Sequence, residues 1–238
     1  MWLVFSEKSR KFIQDQMSIC LVDLEAKISQ DAPQYSSAFN DLFELLGQLK
    51  APHPYDHKNL ANPDNEKNRS FLNGVLLNFA IKHGINENCP EGLIFDSIRH
   101  AFISFLRGGV LDMYLRREAE VWYPKVIIKK FYGKQSDINE LDEAITIYRG
   151  TSLSESESGN YGQSWSLCKR VAKEFAYKHY SSQNDFDLAN RVVISTQISK
   201  SDILYYDKAN SEKEVIVREE ALHNIVTKVL AADSVNTP

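Results

Sequence analysis

Three groups of polar residues in the C-terminal part of the chain have the types and spacing to do chemistry. Arg149 ends an apolar run and precedes Gly150, Ser164–Ser166 reads Ser-Trp-Ser, and Glu212 and Glu214 lead into a run of valine and isoleucine. A guanidinium binds phosphate or carboxylate through a fork of N–H donors. Paired carboxylates suit the cleavage of a glycosidic bond. Together the groups predict a site for a phosphate-bearing ligand with a leaving group.

Each group also has a structural interpretation. A strand-end arginine commonly forms a surface ion pair, Ser166 could cap the helix that follows it, and the glutamates could belong to a solvated charged turn. In an extended segment, side chains alternate between two faces. Ser164 and Ser166 would then face one way and Trp165 the other, and Glu212 and Glu214 would share a face.

In this order the three groups resemble the Arg-Ser-Glu class of mono-ADP-ribosyltransferases. That class has an arginine on its first catalytic strand, a Ser-x-Ser element followed by a helix, and a Glu-x-Glu loop entering a strand. The likeness covers roughly residues 145–217, and the tryptophan between the two serines is similar to bacterial members. The resemblance implies a split β-sheet core, NAD as co-substrate and no metal.

The resemblance also implies a role for each residue. Arg149 would hold the phosphate and ribose side of NAD, and Ser164 would brace the nicotinamide pocket and the catalytic glutamate. Glu214 would bind the ribose 2'-hydroxyl and stabilise the oxocarbenium that forms as nicotinamide departs. Glu212 would orient or deprotonate the acceptor. The cofactor-binding set implied by the resemblance also contains Gly150, Trp165, Ser166 and, as the aromatic residue of the loop 181–190, Phe186.

Two features depart from the class. Only fifteen positions separate Arg149 from Ser164, and the polar run 152–159 that fills them predicts a loop. The helical part before Arg149 is longer than a minimal transferase needs. We therefore expect it to recognise an acceptor or a neutralising partner protein.

The pattern of the whole chain predicts an α+β fold. Apolar residues recur at helical spacing over 12–28, 39–49, 71–80, 94–106 and 113–121, with a loop at 51–69 and a helix cap at Gly84. Later, β-branched runs predict strands at 144–148, 191–198, 203–206 and 215–217, and a single helix follows Ser166. We expect a helical region over 1–136, packed in the same domain as a β-rich catalytic core over 137–238.

Composition narrows the class of protein. The 238 residues are 43% hydrophobic and carry a net charge of −4, so no broad basic surface argues for nonspecific nucleic-acid binding. Three widely spaced cysteines fit a reducing compartment. The apolar start is five residues long, too short for a signal peptide or a membrane span, which predicts a cytoplasmic protein without membrane partners.

Two further groups of residues are weaker candidates for a functional site. His53 and His57 are four residues apart but lie in a proline-rich segment, so no zinc site is predicted. Arg116 and Arg117, with Trp122 and Tyr123, could contact nucleic acid, although a solvated helix end is favoured.

The function expected from the sequence is transfer of ADP-ribose from NAD to a macromolecule, as a toxin, a toxin of a toxin–antitoxin pair, or a phage-defence or phage protein. Glu212 favours a protein arginine as acceptor. Two alternatives stay open: a transferase that modifies RNA or DNA bases, and an inactive NAD-binding or protein-binding module.

Overall fold

A computed structural model describes residues 5–56, 61–115, 122–130, 136–181, 186–223 and 225–230. Internal contacts divide the chain into two units, Met1–Ile127 and Ile128–Pro238. The sequence pattern places the corresponding boundary after residue 136.

The first unit is helical. Helix α1 (Glu7–Lys11) continues into a π-helical turn (Phe12–Gln16), and α2 (Leu21–Asp31) is followed by a 3-10 turn (Pro33–Tyr35). Next come α3 (Ser36–Leu46), α4 (Pro63–His83) and α5 (Pro90–Leu115), which is kinked where Gly109 adopts φ 73°. The core is formed by fully buried apolar side chains that include Phe39, Phe43, Leu72, Leu76 and Phe102.

Several boundaries in this unit differ from the sequence pattern. The single helix predicted over 12–28 is wrong, because Ser18 has a left-handed backbone (φ 54°) and Ile19 forms a β-bridge with Val126. The loop predicted over 51–69 is too long, since Asn62 caps α4 and Pro63 occupies its first turn. The cap at Gly84 is confirmed by its φ of 65°. Of the helix predicted over 113–121, residues 116–121 lie outside the described ranges.

The second unit carries an antiparallel sheet of six strands in the order β4-β5-β2-β1-β3-β6. The strands are β1 (Ala144–Ser152), β2 (Ser164–Ser166), β3 (Arg191–Ser199), β4 (Ile203–Tyr206), β5 (Glu214–Val217) and β6 (Lys228–Leu230). The helices are α6 (Leu153–Ser158), α7 (Lys169–Tyr177) and α8 (Glu219–Leu222), with 3-10 turns at Ile138–Glu140, Leu188–Asn190 and Lys200–Asp202. Helices concentrated in the N-terminal part and an antiparallel sheet after it confirm the mixed helix and sheet class.

Strand β1 is paired with β3 along its whole length but with β2 at a single position. β1 pairs with β3 from Ala144↔Ser199 through Ser152↔Arg191. It pairs with β2 at one position only, Tyr148↔Ser166. The sheet therefore opens between β1 and β2 directly after Tyr148.

Both faces of the sheet are covered within the second unit. On one face, Ile147, Trp165 and Val215 belong to one cluster of buried side chains. On the other, Ala172 and Ala176 of α7 pack with Val193, and Tyr148 lies against them. These two layers fix the strands that carry the three polar groups.

Candidate functional site

Arg149 lies on β1 at the point where the sheet opens. Its Nη1 donates to the carbonyl oxygen of Ser164 at 2.5 Å, so the guanidinium crosses from β1 to β2. Its Nε and Nη2 both lie 2.9 Å from Oε1 of Glu155. Only 19% of the Arg149 side chain is exposed. The backbone pairing of β1 with β2 does not continue past Tyr148, and a side-chain hydrogen bond of Arg149 connects the two strands there instead.

Ser164 and Glu214 meet across β2 and β5. The Ser164 hydroxyl donates to Oε1 of Glu214 at 2.5 Å. The contact follows from the antiparallel register, in which Ser166 pairs with Glu214 and Ser164 with Ile216. Both side chains lie on the same face of the sheet. This hydrogen bond restricts the orientation of the Glu214 carboxylate.

Ser166 supports the turn before Glu214. Its hydroxyl donates to the carbonyl oxygen of Glu212 at 2.7 Å and accepts from the backbone N–H of Cys168 at 2.9 Å. The interpretation of Ser166 as the helix cap is wrong, because α7 begins at Lys169 and Cys168 occupies its N-cap position. The serine therefore joins β2 to the glutamate turn.

The two glutamates are not in one extended run. Lys213 between them has φ 50°, a left-handed conformation that non-glycine residues rarely adopt. Glu214 begins β5 and is half-buried, whereas Glu212 lies outside the strand and is exposed. The turn consequently places one carboxylate in the protein and the other at its surface.

Two glycines allow close approach of other groups. A Cβ on Gly162 would lie 2.9 Å from Nη2 of Arg149. A Cβ on Gly150 would lie 2.1 Å from the carbonyl oxygen of Ala172, so α7 packs directly on the β1 backbone there. The described contacts give Gly150 a packing role. Its role toward a cofactor stays a prediction.

The two aromatic residues of the predicted set are placed differently. Trp165 is 2% exposed, and its Nε1 donates to the carbonyl oxygen of Gly162 at 3.0 Å, so its indole belongs to the core. Phe186 is half-buried just before the turn Leu188–Asn190. Among the described residues, no ring contact or hydrogen bond joins Phe186 to Arg149, Ser164 or Glu214. Residues 182–185 of its loop lie outside the described ranges.

Glu155 is a site residue that the sequence interpretation missed. Its carboxylate accepts hydrogen bonds from Arg149, from the Thr151 hydroxyl and from the N–H of Gly162 at 3.1 Å. Burial acts to raise the pKa of Glu155, but the Arg149 charge and these hydrogen bonds outweigh it and lower the pKa below its ordinary value. The carboxylate is therefore ionised at neutral pH.

A local signal for this element was present in the sequence. Ser152 and Glu155 have the Ser-x-x-Glu spacing of a helix start, and the Ser152 hydroxyl accepts from the N–H of Glu155 at 3.1 Å. The polar run predicted as a loop contains α6 instead.

Tyr205 is a second residue near the site that the sequence pattern does not indicate. Burial, followed by the carboxylates of Asp207 and Glu214, raises the pKa of Tyr205 to about 12. Its hydroxyl is therefore protonated at neutral pH and lies within electrostatic range of Glu214.

Comparisons of the chain with protein-family models, with curated proteins and with solved structures found no match.

Of the helices in the described ranges, none is both long and apolar enough to cross a membrane. Those ranges also contain no group of three or more His, Cys, Asp or Glu that could hold a metal ion. His53 lies within them, but His57, Arg116 and Arg117 lie outside.

Proposed function

We propose that this chain is a mono-ADP-ribosyltransferase that cleaves NAD and transfers ADP-ribose to a macromolecular acceptor. The observation that supports it most is the connection of Arg149, Ser164 and Glu214. Ser164 accepts from Arg149 through its backbone carbonyl oxygen and donates to Glu214 through its hydroxyl. Residues far apart in sequence thus form one hydrogen-bonded unit at the opening of the sheet.

The reaction needs a negative group beside a centre of developing positive charge. The bond between ribose C1' and the nicotinamide nitrogen breaks, the electron pair leaves with nicotinamide, and an acceptor nitrogen bonds to C1' and loses a proton. In the proposal, the oriented carboxylate of Glu214 stabilises the positive charge on the ribose. The hydroxyl of Ser164 keeps that carboxylate in place before the substrate binds.

The donor capacity of Arg149 fits a phosphate group. A guanidinium has five N–H donors, and two of the donors on Arg149 are used within the protein, Nε toward Glu155 and Nη1 toward the Ser164 carbonyl oxygen. This leaves N–H donors on both Nη1 and Nη2 for a ligand. A pair of such donors suits the oxygens of a phosphate.

The position of Glu212 supports a protein arginine as the acceptor. Its exposed carboxylate is two residues from Glu214, and its backbone is held by Ser166. A carboxylate at the surface is accessible to a side chain of another macromolecule and can orient a guanidinium through paired hydrogen bonds.

Labelled NAD tests this proposal. The protein is incubated with NAD labelled in its adenylate phosphate and with separate protein and RNA pools of a cell lysate, with Glu214→Gln as the inactive control. We expect label in the protein pool that survives nuclease and is absent with the variant. Label in RNA instead would replace the protein acceptor by a nucleic acid. No transfer and no release of nicotinamide would overturn the proposed activity.

A further inference from the structure

Hydrogen bonds from three residues fix the carboxylate of Glu155, although Glu155 lies on the short helix α6. Its side chain is 23% exposed, and its two oxygens accept from three different residues, Arg149, Thr151 and Gly162. Thr151 lies on β1, while Gly162 precedes β2. The carboxylate is thus attached to both sides of the opening in the sheet.

These contacts decide how Arg149 is oriented. Glu155 takes the Nε side of the guanidinium, and Ser164 takes Nη1 on the other side. With both sides anchored, rotation of the guanidinium about the side-chain bonds that carry it is restricted. The donors that are left point in a fixed direction before any ligand arrives, which lowers the entropic cost of binding an anion.

We propose that Glu155 is a positioning residue that fixes the Arg149 guanidinium for a phosphate-bearing ligand. The ligand class rests on the proposed function, whereas the orientation of Arg149 is a property of the protein alone. The main alternative is that the ion pair only stabilises the fold. A second alternative is that the negative charge of Glu155 tunes the affinity for an anionic ligand, without any need for geometry.

Two substitutions separate geometry from charge. Glu155→Gln removes the charge but keeps an oxygen that can accept from Arg149 and Gly162, and an amide that can donate to the Thr151 hydroxyl. Glu155→Ala removes both charge and hydrogen bonds. Glu157→Gln is the matched control, since Glu157 is an exposed residue of the same helix.

The first readout needs no ligand. In the NMR spectrum of the wild type, we expect the Nε–Hε signal of Arg149, assigned by its loss in Arg149→Lys, to be protected from exchange with solvent. The protection should persist in Glu155→Gln and Glu157→Gln and disappear in Glu155→Ala. A wild-type signal that exchanges freely would overturn the proposal, whether or not the protein uses NAD.

The second readout is NAD affinity, measured by titration together with turnover. We expect Glu155→Ala to weaken NAD binding about tenfold or more, since displaced groups lose that much in well-positioned sites, and Glu155→Gln to stay within about threefold of the wild type. Equal losses in both variants would favour charge over geometry and refute the positioning role. Wild-type affinity in Glu155→Ala would leave only a role in stability.

Thermal unfolding of each variant accompanies both readouts. If Glu155→Ala does not fold, Thr151→Val replaces it, because this change removes one of the hydrogen bonds that hold the carboxylate. Thr151→Val should reduce the protection of the Arg149 Nε–Hε signal and should also weaken NAD binding. No change in either would contradict the proposal. A wild type that shows the protected signal but neither binds nor cleaves NAD would refute the proposed function and leave the orientation of Arg149 by Glu155 in place.

Discussion

Gly162 lies directly against the guanidinium of Arg149. A Cβ at this glycine would stand 2.9 Å from Nη2 and 3.4 Å from the central carbon of the group. The N–H of Gly162 also donates to Glu155, the ion-pair partner of the arginine. One backbone position therefore limits where the arginine can lie and anchors the residue that holds it.

We predict that Gly162→Ala lowers turnover of NAD by about tenfold. The protein should remain folded, because the added methyl group would displace only the guanidinium of Arg149 and no backbone atom. Gly74→Ala is the control. A Cβ at Gly74 meets nothing within 4 Å, and alanine in that helix should add about 1 kcal/mol to the free energy of unfolding. Turnover of NAD and thermal unfolding are measured for both variants. Unchanged turnover in Gly162→Ala would show that the position of the Arg149 guanidinium does not affect turnover of NAD.

Glu214→Gln should leave NAD affinity nearly unchanged and lower turnover by about 10²-fold or more, since its charge acts mainly in the transition state. The Ser164 hydroxyl can still donate to the amide oxygen, so the fold should be preserved. Titration calorimetry and release of nicotinamide measure the two effects. Glu220→Gln, an exposed change nearby, should be neutral. Full turnover in Glu214→Gln would exclude a catalytic role for this residue.

Arg149→Lys should weaken NAD affinity and turnover together, by about tenfold each, because an ammonium cannot donate at once to Glu155, Ser164 and a phosphate. It should also lower the free energy of unfolding, because Glu155 would lose the guanidinium that pairs with its carboxylate. The control is Arg170→Lys on the surface of α7, where the side chain is 70% exposed. An unchanged binding isotherm for Arg149→Lys would contradict the assignment.

Glu212→Gln should abolish transfer to the acceptor but spare slow hydrolysis of NAD, because water needs less positioning than a large acceptor. The exposed position of Glu212 outside β5 means that the substitution should not alter stability. Transfer and hydrolysis are measured in parallel. Loss of both would place Glu212 in the NAD site, and full transfer to RNA would exclude its role toward arginine.

The lowered pKa of Glu155 gives a pH dependence with a definite sign. Because its pKa is lower in the folded protein than in the unfolded chain, its contribution to stability is complete above its ordinary pKa of about 4.3 and is lost as pH falls through the lower folded value. Urea unfolding between about pH 7 and about pH 3 should therefore show a weaker loss of stability at acid pH in Glu155→Gln than in the wild type. Parallel curves would contradict this.

Local signals predicted much of the architecture. The β-branched runs identified the strands around Ile147, Ile194 and Val215, and Gly84 marked the end of α4, because these features depend on neighbours in sequence. The extent of β1 was underestimated, since its second half, through Ser152, is polar and is defined by pairing with β3.

Two parts of the structure were missed for different reasons. Ser18 breaks an apolar periodicity that continues across it, because Ile19 pairs with Val126. Glu155 was missed although its partners Arg149, Thr151 and Gly162 lie within seven residues of it, because the serine-rich run around it resembles a loop. The motif spacing indicated which residues could share a site, whereas their hydrogen bonds required the register of the sheet.

The single pair Tyr148↔Ser166 divides the sheet into two halves of three strands each, β4-β5-β2 and β1-β3-β6. Ser164 and Glu214 belong to one half, and Arg149 belongs to the other. In a continuous ladder, backbone hydrogen bonds would set the distance between such residues. Between β1 and β2, a buried cluster shared by both halves and the hydrogen bonds of one guanidinium set this distance. A substitution at Arg149 should therefore change the distance between the two halves more readily than a substitution at a position within either half.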